Sequence, residues 1–150
     1  MSDGEVTYRV AGEADLPAIT RVRTSVTENH LSIAQMAERG ISNESVAASL
    51  RTDAKGWVAI CGGEIVAFSI ANRTTPSIFG LFVLPAFEGR GIGGHLLDLA
   101  TQWIWTSGAE RIWLETRQGT RAEAFYRSRG WIATGLDDKG SVHFELCRPG

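Results

Sequence analysis

The stretch FVLPAFEGRGIGGHLL, residues 82–97, constrains this chain more than any other part of it. An apolar segment runs into Pro85, then Gly89, Gly91, Gly93 and Gly94 fall within six residues, and an apolar periodicity begins at Ile92. Glycine at this density costs backbone entropy on folding, so something here requires bare backbone. A strand that ends in a glycine turn and opens a helix is an anion site by construction. The first helical N–H groups have no intrahelical partner, and the helix dipole adds partial positive charge. Without Cβ atoms in the way a pyrophosphate can approach that backbone, and Arg90 adds a mobile charge. The plainer alternative is a helix lying so close to a sheet that only glycine fits between them.

The rest of the composition narrows the class. A chain of 150 residues is the size of one ordinary domain, so residues 1–150 are expected to form a single one with a core of its own. The formal net charge of -2 argues against non-specific nucleic-acid binding. No apolar run reaches the roughly 18 residues of a membrane span, and the polar, acidic start MSDGEVTYRV does not read as a secretory signal. Cys61 and Cys147 stand far apart and in no metal-ligand spacing, so they are expected to be reduced thiols of a cytoplasmic protein without a metal. Trp103, Trp113 and Trp131 fall on apolar faces, where core packing is the expected role.

Along the chain, VTYRV (6–10) reads as a strand, and Leu16, Ile19, Val22 and Val26 keep helical spacing after Asp15, with Pro17 in the first turn. Residues 27–41 have room for a short helix, and SNESVAASLRT follows as another with Ser42 as N-cap. Two apolar strands around Gly62-Gly63 form a hairpin, and SIFGLFVL (77–84) adds a third strand to the meander. After the glycine loop, Ile92, Leu96, Leu99, Ala100, Trp103 and Ile104 predict a helix that runs to about Thr106 and stops near Gly108. RIWLET (111–116) is a strand. Thr120 and Glu123 form a capping box for a helix that ends at Gly130. WIATG and SVHFEL close the chain as two strands joined by LDDKG.

Three phosphate loops compete for residues 88–94. An ATP-type loop requires Lys and then Ser or Thr after its last glycine, and His95 follows Gly94 here. A dinucleotide fingerprint matches locally, with Gly89, Gly91 and Gly94 in G-x-G-x-x-G and Glu115 about 20 residues on. Yet antiparallel hairpins precede the loop, and too little chain follows Glu115 for further βαβ units. The third is a coenzyme A loop. Val83-Leu84-Pro85 followed by Glu88-Gly89-Arg90-Gly91-Ile92-Gly93 resembles the acetyl-CoA loop Q/R-x-x-G-x-G/A of the GCN5-related N-acetyltransferase (GNAT) superfamily. Leu114-Glu115-Thr116, then Ala122 to Tyr126 and Gly130-Trp131, resemble that family's later signature. Two motifs at the right separation are far more specific than one glycine loop. Two positions depart from the pattern. Glu88 replaces Gln or Arg, and a carboxylate beside a pyrophosphate is repelled, so Glu88 is expected to face solvent or to pair with an arginine such as Arg90. Gly119 and Thr120 stand where an Asn often precedes the second helix.

The resemblance implies an α/β (α+β) fold: a mixed, mostly antiparallel central sheet of six to seven strands flanked by about four helices. It implies acetyl-CoA as cosubstrate, an amine as acceptor, and a frequent tendency to form homodimers. It places acyl-CoA against Leu81, Phe82 and Val83 of the strand and Glu88, Gly89, Arg90, Gly91, Ile92, Gly93 and Gly94 of the loop. Tyr126 matches the family's general acid. Its plainer role is in the apolar stripe of its helix, beside Phe125. Glu28 and His30 lie in a polar segment where the family contacts the acceptor, and they are the candidate base and acceptor contacts, although each also reads as a solvated loop residue. His143 is a further candidate for the acceptor side, and Arg121 and Arg127 for the phosphates, although an exposed helix face explains the two arginines equally well. His95, Asp98 and Gln102 read as surface. A non-catalytic acyl-CoA-binding or sensing domain and a small nicotinamide-binding protein are the alternatives.

Overall fold

The structure, a computed structural model, describes residues 5–25 and 43–149. Seven strands among them form one sheet: β1 (Thr7–Val10), β2 (Ala54–Cys61), β3 (Glu64–Asn72), β4 (Ser77–Val83), β5 (Arg111–Arg117), β6 (Ile132–Leu136) and β7 (Ser141–Cys147), in the order β1-β2-β3-β4-β5-β7-β6. Four α-helices flank it: α1 (Leu16–Ser25), α2 (Asn43–Leu50), α3 (Ile92–Thr106) and α4 (Arg121–Ser128). All neighbouring strands run antiparallel except β4 and β5, which are parallel and joined through α3. This is the mixed, mostly antiparallel sheet with four helices that the sequence led us to expect. The segment that carries residues 27–41, the proposed N-cap Ser42, and Glu28 and His30 lies outside the described residues.

Local chemistry accounts for most boundaries. Gly62 and Gly63 turn β2 into β3 with φ of 61° and 81°, the left-handed pair that a two-residue hairpin demands. At α4, Thr120 Oγ1 accepts from the Glu123 amide at 3.2 Å, while the Glu123 carboxylate accepts from the Gly119 amide at 2.7 Å. The capping box is therefore present with its return leg moved one residue upstream. Between β6 and β7, Asp137 Oδ1 accepts from the amides of Lys139 and Ser141, both at 2.8 Å, and this closes the LDDKG turn.

The sheet buries both faces over β2 to β4. On one side α3 and α4 press Ile92, Leu96, Leu97, Ala100, Ile104, Tyr126 and Trp131 against Ala67, Ile112, Leu114, Val142 and Phe144. On the other side Leu16, Ile19 and Val22 of α1 and Val46 and Ala47 of α2 cover Val58, Phe68 and Ile70. Trp131 is buried and Trp103 is half-buried at the rim, edge-on to Trp57. Trp113 differs from expectation. It is 38% exposed, because the β5 alternation turns Ile112 and Leu114 inward and Trp113 outward. Its indole N–H donates to the Thr75 carbonyl at 2.7 Å.

Beneath β4 lies a buried cation. Arg23 of α1 stacks its guanidinium over the rings of Phe68 and Phe82, 5.3 and 5.5 Å from the centroids, and burial pulls its pKa down to about 10. It fits because Gly80 has no side chain: a Cβ there would lie 2.8 Å from Arg23 Nη2 and 2.9 Å from Phe68 Cε2. Gly80→Ala is expected to destabilise the protein by about 1–3 kcal/mol through overpacking. Gly12→Ala, whose Cβ would meet nothing nearer than Asp15 Oδ2 at 4.0 Å, should stay within about 0.5 kcal/mol. Urea unfolding midpoints of the two variants check both.

Candidate functional site

The sheet parts at its parallel pair. β4 is laddered to β3 along its length, but it meets β5 at a single register pair, Ser77 with Trp113, next to a Trp113 amide bond to the Pro76 carbonyl of 3.0 Å. Beyond that point β5 pairs only with β7. The Leu84 amide donates to Val66 at 2.9 Å, in register with the Phe82–Phe68 pair. Alternation in an antiparallel ladder then turns the backbone groups of Leu84 and Phe82 toward β3, and those of Leu81 and Val83 toward the parted β5 side. A free strand edge is thus exposed where an extended ligand can add to it.

At the end of this edge the chain makes a turn at Pro85–Phe87 and enters the glycine loop. Gly89 and Gly91 have φ of 80° and 81°, a conformation that L side chains resist. Gly91 is the N-cap of α3 and supplies no side chain to the helix amides. The first intrahelical bond is from the His95 amide to the Gly91 carbonyl at 3.1 Å, so the preceding amides point out of the helix N-terminus. Gly93 faces Val83 and Phe125, where a Cβ would fill the space between strand and helix.

Strand edge, loop and α4 enclose a cleft of about 470 Å³. Leu81, Phe82, Val83, Glu88, Gly89, Gly91, Ile92, Gly93 and Gly94 all line it, as do Tyr126 and Arg121. Arg90 does not; its guanidinium lies over the Phe87 ring, 5.0 Å from the centroid. Glu88 pairs not with Arg90 but with Arg121 across the cleft, at 3.5 Å. Arg127 also stands outside the lining, held by Glu123 at 2.9 Å and over the Phe144 ring. Phe125, part of the later signature, also lines it, as do Phe87 and Arg129, for which no sequence motif spoke. Arg129 lies against the bare backbone of Gly94, over the Phe125 ring and 3.6 Å from Asp98.

Tyr126 is 6% exposed, edge-on to Phe125 and Trp131 and close to Phe144. Burial pushes its phenol well above the ordinary tyrosine range. On the opposite face of the sheet, β5 and β7 align Glu115 with His143. The imidazole lies 3.5 Å from Glu115 through Nδ1 and 3.3 Å from Glu145 through Nε2, and it stacks on Trp113 at 5.3 Å. Residues from two strands meet here by cross-strand register, which no local sequence pattern reveals. Among the described residues no cluster of His, Cys, Asp and Glu has the makings of a metal site. None of the described helices is long and apolar enough to cross a membrane.

A parted strand edge, a glycine loop and a helix N-terminus thus meet in one cleft. The sequence profile of the Acetyltransferase (GNAT) family matches residues 19–131, so the chain belongs to that family of acetyltransferases. The fold is similar to the PaiA N-acetyltransferase of Thermoplasma acidophilum in complex with coenzyme A, with a TM-score of 0.81 and 16% identity over 96% of this chain and 99% of that one. It is similar also to the ribosomal-protein-S18-alanine N-acetyltransferase of Escherichia coli (0.73, 19%, 95% and 94%). A third similar structure is nourseothricin acetyltransferase (0.71, 20%, 96% and 99%). At such identities the likeness is one of fold. A comparison with curated protein sequences found no match.

The buried phenol gives a direct expectation. Its raised pKa favours the protonated form in the folded state, so this contribution to stability is intact below the unfolded-state value of about 10 and declines as pH rises beyond it. Of the two tyrosines, Tyr8 and Tyr126, only Tyr8 should contribute tyrosinate absorbance while the protein stays folded. Wild type and Tyr126→Phe should therefore give the same alkaline absorbance titration until unfolding, and differ by one tyrosinate afterwards.

Proposed function

We propose that the protein transfers an acetyl group from acetyl-CoA to a primary amine, carried by a small molecule or by a peptide or protein, through direct attack in a ternary complex. The observation that carries this is the parted β4 edge leading into an uncapped helix N-terminus, with a buried tyrosine in the same cleft. The residues fit acetyl-CoA. The amides of Leu81 and Val83 would hold its extended arm, and the loop from Glu88 to Gly94 would cradle its pyrophosphate at the dipole-positive end of α3. Apolar walls from Phe87, Phe125 and Ile92 exclude water from the thioester, which strengthens each electrostatic contact there.

The amine nitrogen forms a bond to the thioester carbonyl carbon, charge collects on the carbonyl oxygen, and the C–S bond then breaks. A main-chain N–H of the β4 edge is the donor for the oxygen. Tyr126 donates its phenolic hydrogen to the departing sulfur. The burial that raises the phenol also raises the proton affinity of a thiolate leaving beside it, so donor and acceptor shift together. The ammonium proton must go elsewhere. With the cosubstrate on the α3–α4 side, the amine arrives through the gap between β4 and β5 from the face that bears Glu115 and His143, and these carboxylate and imidazole groups can accept it. Glu28 and His30, outside the described residues, stay candidates for the same task.

Tyr126→Phe should lower kcat by about a hundredfold or more, the usual effect of losing a general acid, while the Kd for acetyl-CoA changes less than about twofold, or about 0.4 kcal/mol. Thiol release with an amine panel measures the first and calorimetry the second. Binding of acetyl-CoA without turnover on any amine would favour a sensing domain instead, and binding of NADH in its place would overturn the assignment of the loop.

A further inference from the structure

We infer that Arg23 is a positioning residue of the transfer: its positive charge, buried against Gly80 on the α1 side of β4, reinforces the Leu81 amide that faces the parted strand edge. This rests on reading the cleft as the acyl-CoA site. The Leu81 N–H belongs to the peptide unit that joins Leu81 to Gly80. In the β4 ladder Gly80 is in register with Ile70 and Leu81 with Ser69. Alternation turns the Leu81 N–H toward the parted side, and it turns the side-chain position of Gly80 toward α1. Arg23 occupies that position, since a Cβ on Gly80 would lie 2.8 Å from Arg23 Nη2. The guanidinium also stacks over Phe82, 5.5 Å from the centroid, and Phe82 lines the cleft. One strand therefore separates the charge from the reacting group.

Among the described residues Arg23 is the one charged side chain that is buried. Burying a cation costs stability, and an apolar side chain of like volume often packs as well or better. Burial brings its pKa down only to about 10, so the group keeps its charge at neutral pH. A fixed charge in a dry interior is screened little, and it does not reorganise when negative charge develops nearby. In the transfer that negative charge collects on the thioester oxygen, which the amide of the β4 edge contacts. The arginines that line the cleft itself act differently. Arg121 and Arg129 are 68% and 38% exposed, and solvent screens them. Stacking on Phe68 and Phe82 gives Arg23 a plain packing role as well. That role would stabilise the fold and leave a bound thioester unaltered, so the two are separable by experiment.

The infrared carbonyl band of acetyl-CoA, labelled with carbon-13 at the thioester carbon and bound to the full chain, tests this in wild type, Arg23→Met, Arg23→Gln and Arg23→Lys. Calorimetry with acetyl-CoA confirms that each variant binds. In wild type the band should lie below its free-solution frequency. Arg23→Met and Arg23→Gln should lose about half of that displacement or more, with Kd within about threefold of wild type. Arg23→Lys, which keeps the charge, should retain most of it. With an amine that turns over, kcat of Arg23→Met should fall about tenfold at nearly constant KM, less than removal of a direct oxyanion donor would cost. A neutral variant whose band coincides with that of wild type overturns the inference and leaves Arg23 a packing residue. So does an Arg23→Lys variant that loses about half of the displacement or more, and this decides the matter should neither neutral variant fold. A wild-type band at the free-solution frequency overturns the inference while the cleft still binds acetyl-CoA. Failure of wild type to bind acetyl-CoA overturns it together with the reading of the cleft.

Discussion

The structure turns on the parting of two parallel strands. β4 and β5 share one register pair at Ser77 and Trp113 and then diverge, so a strand edge that would otherwise be laddered is left open inside the sheet. Open edges are a hazard when they lie at a sheet's rim, since they invite other chains. Here the edge lies between two halves of the sheet and beneath two helices, where a ligand of matching length can satisfy it. The crossover helix α3 must begin where β4 ends, and this sets its N-terminus at the mouth of the gap. Strand edge, helix dipole and glycine loop therefore converge because of connectivity, before any side chain is considered.

Side chains then divide the gap into two chemical environments. The α3–α4 face is apolar and holds Tyr126, whose burial keeps the phenol protonated. The opposite face of β5 and β7 carries Trp113, Glu115, His143 and Glu145, is open to solvent over its outer part, and concentrates negative charge around one imidazole. The proposed transfer from a thioester to an amine would use this asymmetry. The leaving sulfur would benefit from a neutral donor in a dry pocket, and the arriving amine from groups that accept its proton. On that proposal the fold meets both needs by presenting opposite faces of neighbouring strands at one gap.

Much of the fold was legible in the sequence because its signals are local. The Gly62-Gly63 hairpin, the period of α3 and the capping residues Thr120 and Glu123 each depend on neighbours a few positions away. The glycine loop was legible for the same reason, and the pairing of two motifs singled out one phosphate chemistry among three. Trp113 shows where such reasoning stops. Its flanks are apolar, but strand alternation sends Ile112 and Leu114 to the core and the tryptophan to the surface. Glu88 shows it too: charge arithmetic sent it to solvent or to an arginine such as Arg90, whereas the fold brings Arg121 across the cleft and leaves Arg90 on Phe87.

The sequence by itself determined the order of strands and helices, the glycine loop that opens α3 and the family to which the chain belongs. Each follows from periodicity, turn chemistry or contiguous motifs, and these act over a few residues. Only the tertiary structure decided which edge of β4 is free, which arginine meets Glu88, and that Glu115, His143 and Glu145 share a face. Those relations join residues from separate strands and helices. They depend on cross-strand register and on how α3 and α4 seat on the sheet, and long-range packing alone sets both.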